Sequence, residues 1–101
     1  MDALRHLQEW YAAQCDGDWE HSFGITIGTL DNPGWRVTID LDDTALVNEP
    51  FDAVERGDHE NDKDWMVCRK TGTKFEGAGG ARNLNEILEV FLAWARSAAS
   101  E

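Results

Sequence analysis

The chain has 101 residues, the size of one ordinary domain, and we expect a single domain over residues 1–101. Its 20 acidic residues outnumber 9 lysines and arginines and give a formal net charge of -11. A negative field of this size repels phosphate backbones and anionic lipids, so it argues against nucleic acid or a membrane as partner and favours a cationic protein. An alternative is that the acidity serves only solubility.

The first half of the chain predicts a helix and then a β-hairpin. Asp2 can cap a helix whose apolar residues recur at three- and four-residue steps, and Asp16 and Gly17 end it. Pro33 and Gly34 fit the central positions of a type II turn, with Gly34 at positive φ. Period-two alternation predicts strands on both sides of the turn, through Phe23, Ile25 and Ile27 and through Trp35, Val37, Ile39 and Leu41.

The middle of the chain is less regular. Residues 44–63 are rich in acids, and we expect an edge strand followed by an exposed loop. Alternation from Trp65 to Arg69 predicts a strand covered on both faces, and a turn then leads into a short strand around Phe75. The glycine-rich residues 77–80 are expected to interrupt regular structure.

A closing helix is predicted by its cap and its apolar stripe. Asn83 and Glu86 resemble a capping box, with Asn in place of the usual Ser or Thr. The stripe consists of Leu84, Ile87, Leu88, Phe91, Trp94 and Ala95. The predicted fold class is α+β: a two-layer domain in which an antiparallel β-meander of four or five strands carries an N-terminal and a C-terminal helix.

The two cysteines give no sign of a disulfide framework or a zinc site. Cys15 and Cys68 are far apart and follow no metal-ligand spacing. The N-terminal residues lack the basic and apolar pattern of a signal peptide, and the longest apolar run is too short to span a membrane. We therefore expect a cytoplasmic protein.

The segment from Cys68 to Lys74, CRKTGTK, is similar to the cysteine loop of rhodaneses and cysteine phosphatases. Those enzymes need a thiolate stabilised by backbone N–H groups, an arginine and a following helix N-terminus. Here Lys74 replaces the closing arginine of phosphatases, and a strand is predicted where the helix should begin. We favour a buried strand cysteine and no enzyme, with a small rhodanese-like or phosphatase-like enzyme using Cys68 as the alternative.

Other ligand sites have weaker support. The glycine run at 77–80 lacks the GK[ST] ending of a phosphate-binding P-loop and suits a strand-to-helix connection. Residues 15–21 and 59–62 contain metal-ligand types without a recognised spacing, and a metal there would require the two loop histidines to converge. We expect solvated acidic loops, with no catalytic residues, no metal and no cofactor.

Two acidic loops, residues 16–21 and 58–64, form the candidate binding surface. An aromatic ring surrounded by carboxylates suits a cationic protein partner, although Trp19 could instead pack in the core. Loops held by a rigid scaffold often carry recognition residues. The candidate binding residues are Asp16, Asp18, Trp19, Glu20, His21, Asp58, His59, Glu60 and Asp62.

The sequence resembles the immunity protein 53 family of bacterial polymorphic toxin systems over nearly its whole length. The resemblance is carried by four motifs: WY at residues 10–11, WEH at 19–21, TLDNPGW at 29–35 and FEGAGG at 75–80. It implies a protein that is encoded beside a cognate toxin and that binds and neutralises this toxin inside the producing cell. The resemblance supplies no catalytic residues.

Combined with the charge, the resemblance suggests that an acidic face occludes a basic functional surface of the toxin. A nuclease toxin is the favoured partner, because nucleases hold phosphates on basic surfaces. A ligand-binding domain outside any toxin system is a further alternative, and the oligomeric state is open between a monomer and a weak dimer.

Overall fold

The computed structural model describes residues 2–58 and 60–99, in which three helices and five strands follow one another. In chain order they are α1 (Ala3–Gln14), α2 (Trp19–Ser22), β1 (Ile25–Leu30), β2 (Gly34–Asp40), β3 (Val54–Arg56), β4 (Met66–Thr71), β5 (Lys74–Gly79) and α3 (Leu84–Ala99). The α+β prediction is confirmed. The single turn α2 was not expected.

The first helix begins and ends where its sequence predicts. The Asp2 carboxylate accepts a hydrogen bond from the backbone N–H of Arg5 at 3.1 Å, which satisfies one of the unpaired donors of the first turn. The helix ends at Gln14, and the backbone N–H of Cys15 bonds back to the carbonyl of Ala12.

All five strands pair antiparallel in one sheet, but their spatial order is β1-β2-β5-β4-β3. The order therefore departs from a simple meander, because the chain crosses from β2 to the far edge before β3 begins. The connecting segment packs into the interior as it crosses, with Leu41 and Leu46 buried and the Phe51 ring 5.5 Å from that of Phe75. Burial of this segment stabilises the crossing.

The β1–β2 hairpin is confirmed, with Leu30 opposite Gly34 and Ile25 opposite Ile39. The type II turn is wrong, because Gly34 does not have positive φ. The glycine is required for a different reason: a Cβ at position 34 would lie 2.3 Å from the backbone oxygen of Gly79 on β5. The constraint is a close approach between strands, which local turn chemistry does not reveal.

One face of the sheet carries the helices, and the core lies between the two layers. Val37, Ile39 and Phe75 are fully buried beneath α3, whose Phe91 ring lies 5.2 Å from that of Phe75. Helix α1 packs mainly against α3, where the Trp10 ring meets that of Phe91 edge-on at 5.0 Å. Such aromatic pairs stabilise beyond the area they bury.

The prediction that the glycine run at 77–80 interrupts regular structure is wrong, because β5 continues through Gly79. A Cβ at Gly77 would lie 2.4 Å from the Cγ2 of Ile87, so the glycine lets α3 approach the strand closely. No helix of the described residues covers the opposite face of the sheet. The prediction that the 65–69 strand is covered on both faces is therefore wrong: Val67 is only half-buried and Arg69 is exposed.

The closing helix is confirmed, but its cap differs from the predicted capping box. The buried Asn83 side chain donates from Nδ2 to Glu86 Oε1 and to Asp64 Oδ1, both at 2.8 Å. Its Oδ1 has no hydrogen-bond partner, so the reciprocal side-chain and backbone bonds of a capping box do not form. The amide serves instead to tie the start of α3 to the loop before β4.

Candidate functional site

The first acidic loop, between α1 and β1, is built by its own carboxylates. Asp16 Oδ1 accepts from the backbone N–H groups of Asp18 and Trp19, both at 2.9 Å, and these bonds lower the pKa of Asp16. The Glu20 carboxylate accepts from the N–H groups of Asp16 and Gly17 at 3.0–3.1 Å. Its own backbone N–H and these two donors lower the pKa of Glu20. Both carboxylates therefore fix the backbone of the loop and also give it negative charge.

Trp19 lies in the interior, with only 4% of its surface exposed. Its ring meets those of Trp10 and Tyr11 edge-on at 6.2 and 5.9 Å. The alternative that Trp19 packs in the core is therefore confirmed and the surface anchor is wrong, because α1 and Phe23 pack against the ring. Its Nε1–H donates to the backbone carbonyl of Asp42 at 2.7 Å. This bond holds the first acidic loop against the segment that follows β2.

That contact brings together two groups of acids, which we call the acidic end. It consists of Asp16, Asp18, Glu20, Asp40, Asp42 and Asp43. Asp40 Oδ2 accepts from the backbone N–H of Gly24 at 3.0 Å, and Asp40 Oδ1 pairs with the Lys74 ammonium. The exposed side chain of Asp18 makes no capping bond, and exposed Asp43 adopts a left-handed φ of 59°. His21 is also exposed beside this group.

Sequence reasoning missed the second half of the acidic end. The residues LDD at 41–43 close the predicted β2 strand. Because β2 runs antiparallel to β1, its last residues return to the place where the first loop enters the sheet. The end of β2 therefore had to lie beside residues 16–24, and that signal was available in the predicted hairpin.

The second acidic loop lies at the opposite end of the sheet. Within it, Asp58 Oδ1 accepts from the N–H of Glu60 at 2.9 Å, and Asp62 Oδ2 accepts from the N–H of Asp58 at 2.8 Å. The candidate His59 lies outside the described residues. Six-residue strands at about 3.3 Å per residue separate the two acidic loops by roughly 20 Å. The structure does not bring the two predicted loops together.

A charge network ties the second loop to α3. The Arg56 guanidinium bonds to both Glu86 oxygens at 2.6 and 2.8 Å and to Asp64 at 2.6 Å. Arg56, together with the amide of Asn83, lowers the pKa of Glu86 to about 2. The same amide and guanidinium lower the pKa of Asp64. Two carboxylates at this end are therefore already compensated within the protein.

The network borders a cleft of about 980 Å³ between the β1–β2 turn, the second loop and the start of α3. Lys63 and Arg82 line it together with Glu60 and Asp62. Because both cations and carboxylates line the cleft, this end presents a surface of mixed charge. The acidic end carries the stronger uncompensated charge.

Cys68 lies on β4 and is fully buried beneath α3. Burial raises the pKa of its thiol to about 11. A sulfurtransferase or phosphatase nucleophile requires the opposite change, a lowered pKa at an accessible position. The structure therefore supports a packing role for Cys68 and does not support the rhodanese-like alternative.

The described residues contain neither a metal-binding cluster nor a membrane-spanning helix. Across residues 2–58 and 60–99, no three His, Cys, Asp or Glu side chains are grouped so as to hold a metal ion. None of the helices in this part of the chain has the length and apolar character needed to cross a bilayer.

The protein is a small α+β domain in which Cys68 is buried and its thiol is not activated as a nucleophile. Its accessible surface is rich in carboxylates and suits binding to a partner. The family model for immunity protein 53 matches residues 4–96, nearly the whole chain. The chain therefore belongs to the immunity protein 53 family, and this membership supports a role as an immunity protein. Searches of curated proteins and of solved structures found no significant match.

Proposed function

We propose that this chain neutralises a cognate toxin by stoichiometric binding, with the acidic end covering a basic functional surface of the toxin. The observation that carries the proposal is the convergence of six carboxylates from two chain segments on one end of the sheet. Lys74 contacts this group through Asp40. Such a surface accelerates encounter with a basic protein and complements it once bound.

The acidic end also meets the geometric requirement for recognition. Its two segments are fixed to each other by the bonds from Trp19 to the Asp42 carbonyl and from Gly24 to the Asp40 carboxylate. Because Trp19 is buried, the loop it anchors does not have to become ordered on binding. A preorganised surface avoids part of the entropy cost of association.

The second loop is the weaker candidate for the same role. Arg56 compensates Asp64 and Glu86, and two further cations line the adjacent cleft. A toxin centred on the acidic end would reach Asp58, Glu60 and Asp62 only by extending along the sheet. We therefore assign the second loop at most a peripheral part of the interface.

A nuclease domain is the toxin class that we favour. Nucleases hold the phosphate backbone with lysines and arginines, and an acidic protein can occupy that surface in place of the nucleic acid. The net charge of -11 supports this partner class, as it would support any toxin with a basic active-site rim.

The test is co-expression with the toxin encoded beside this chain. The acidic-end variant combines Asp18→Asn and Asp43→Asn, two exposed positions at which the amide preserves the local backbone. Asparagine tolerates the left-handed φ at position 43. We expect the wild type to protect cells and to co-purify with the toxin, and the variant to require higher expression for equal protection.

The matched control combines Glu60→Gln and Asp62→Asn in the second loop, with the same loss of charge. We expect this control to protect as the wild type does. Equal loss in both variants would show that only net charge matters, and loss in the control alone would place the toxin on the cleft. A wild-type chain that neither protects nor binds the adjacent toxin would contradict the proposed function itself.

A further inference from the structure

Strand β1 forms one edge of the sheet, and nothing in the described part of the chain pairs with its outer side. Residues 22–30, SFGITIGTL, contain no charged residue and no proline, although 29% of the whole chain is charged. The opposite edge, β3, is only three residues long and carries Glu55 and Arg56. Natural proteins protect edge strands with short length, charge, proline or bulges, and β1 has none of these.

The register shows which backbone groups face outward. The N–H of Asp40 bonds to the carbonyl of Gly24, so the even-numbered residues of β1 direct their backbone groups toward β2. Backbone groups alternate along an antiparallel pair. The N–H and C=O groups of Ile25, Ile27 and Thr29 therefore face the open edge.

The same edge is flanked by apolar side chains. The large apolar residues most exposed in the described chain are Leu4, Tyr11 and Ile27, at 54%, 37% and 38%. Tyr11 lines a groove of about 310 Å³ with Leu7 and Ile25, between α1 and β1. Leu4 lies two helical turns before Tyr11 and thus on the same side of α1.

We propose that the β1 edge pairs antiparallel with the β1 edge of a second copy of this chain, which joins two five-stranded sheets into one. A two-fold axis at Ile27 would place it opposite its own equivalent and Ile25 opposite Thr29 of the second copy. All six outward backbone groups of each copy then find partners. The side chains are also compatible in this register, because all those that face each other across the pair are uncharged and no like charges meet.

Charge favours this antiparallel pairing over other arrangements. Each copy carries a net charge of -11, so most contacts between copies would be repulsive. The acidic end lies beside Ile25, the first residue of β1. Antiparallel pairing places the two acidic ends at opposite ends of the joined sheet. There they are farther apart than the distance over which exposed charges repel each other at physiological salt. Both acidic ends also stay accessible.

Analytical ultracentrifugation over about 5–500 µM tests the proposal, because a contact of this size should be weak and concentration-dependent. We expect Ile27→Lys and Ile27→Glu each to be monomeric, since either places like charges opposite each other at the axis. An equimolar mixture should regain the dimer, because lysine then faces glutamate. The control Thr26→Lys adds the same charge opposite Gly28 of the second copy and should still dimerise.

Amide hydrogen exchange supplies a measurement that needs no variant. In the wild type, protection of the Ile27 amide should fall at least about tenfold on dilution to the monomer, whereas the Thr26 amide, paired with β2, should change little. A chain that stays monomeric throughout the range would overturn the proposal. So would a dimer that Ile27→Lys leaves intact, or one that the Lys and Glu mixture does not restore.

Discussion

Gly34→Ala is expected to destabilise the fold through a clash between strands. The new Cβ would lie 2.3 Å from the carbonyl oxygen of Gly79, an atom of the backbone that no side-chain rotation can move. Restoring ordinary contact requires β2 and β5 to separate by about 1 Å. Overpacking of this kind costs about 1–3 kcal/mol. For a domain of this size, a loss of about 2 kcal/mol lowers the melting temperature by roughly 8–16 °C.

Thermal melting followed by circular dichroism measures the effect, with two matched variants. Gly28→Ala in the same hairpin meets nothing within 4 Å, and it should be neutral or stabilising by up to about 1 kcal/mol. Gly34→Asn should cost as much as Gly34→Ala, whereas a left-handed turn position would tolerate asparagine better. A Gly34→Ala midpoint within about 2 °C of the wild type would refute the steric reasoning.

Three further variants test separate contacts. Cys68→Ser should still protect cells against the toxin in co-expression, but its free energy of unfolding should fall by about 1–3 kcal/mol because a hydroxyl is buried. Loss of protection by a folded variant would restore the nucleophile hypothesis. Arg56 lowers the pKa of Glu86 from its usual value of 4.5, so the ionised carboxylate stabilises the fold at pH values above 4.5. This stability is lost as the pH falls toward about 2. Urea titrations across this window should show a smaller pH dependence for Glu86→Gln, and equal slopes would contradict the ion pair. Trp19→Phe removes the donor to the Asp42 carbonyl and should lower the free energy of unfolding by about 1–3 kcal/mol, measured by urea denaturation. An unchanged midpoint would contradict a stabilising role for this bond.

Local patterns predicted most of the elements. The apolar stripe predicted α3, the cap at Asp2 predicted the start of α1, and period-two alternation predicted β1 and β2. These features depend on residues close together in sequence, where periodicity and capping are direct signals. The edge strand expected within residues 44–63 is confirmed as β3. The pairing of β2 with β5 in place of β3 was not predicted, because the three residues of β3 carry too little periodicity to choose a partner strand.

The predicted binding surface needed a different correction. Three strands, β1, β2 and β3, separate the two acidic loops along the chain, and their directions alternate. Each strand takes the chain from one end of the sheet to the other, so an odd number of strands must place the loops at opposite ends. That count was available from the predicted elements. The burial of Trp19 and the steric need for Gly34 were not, since each depends on a segment distant in sequence.

The most direct test of the account is the rate at which this chain associates with its cognate toxin. Stopped-flow association would be measured over a salt series for the wild type, for Asp18→Asn with Asp43→Asn, and for Glu60→Gln with Asp62→Asn. If the acidic end faces a basic toxin, its variant should associate more slowly at low salt and depend less on salt, whereas the second-loop variant should stay close to the wild type. Association of the acidic-end variant at the wild-type rate at every salt concentration would contradict the proposed binding surface.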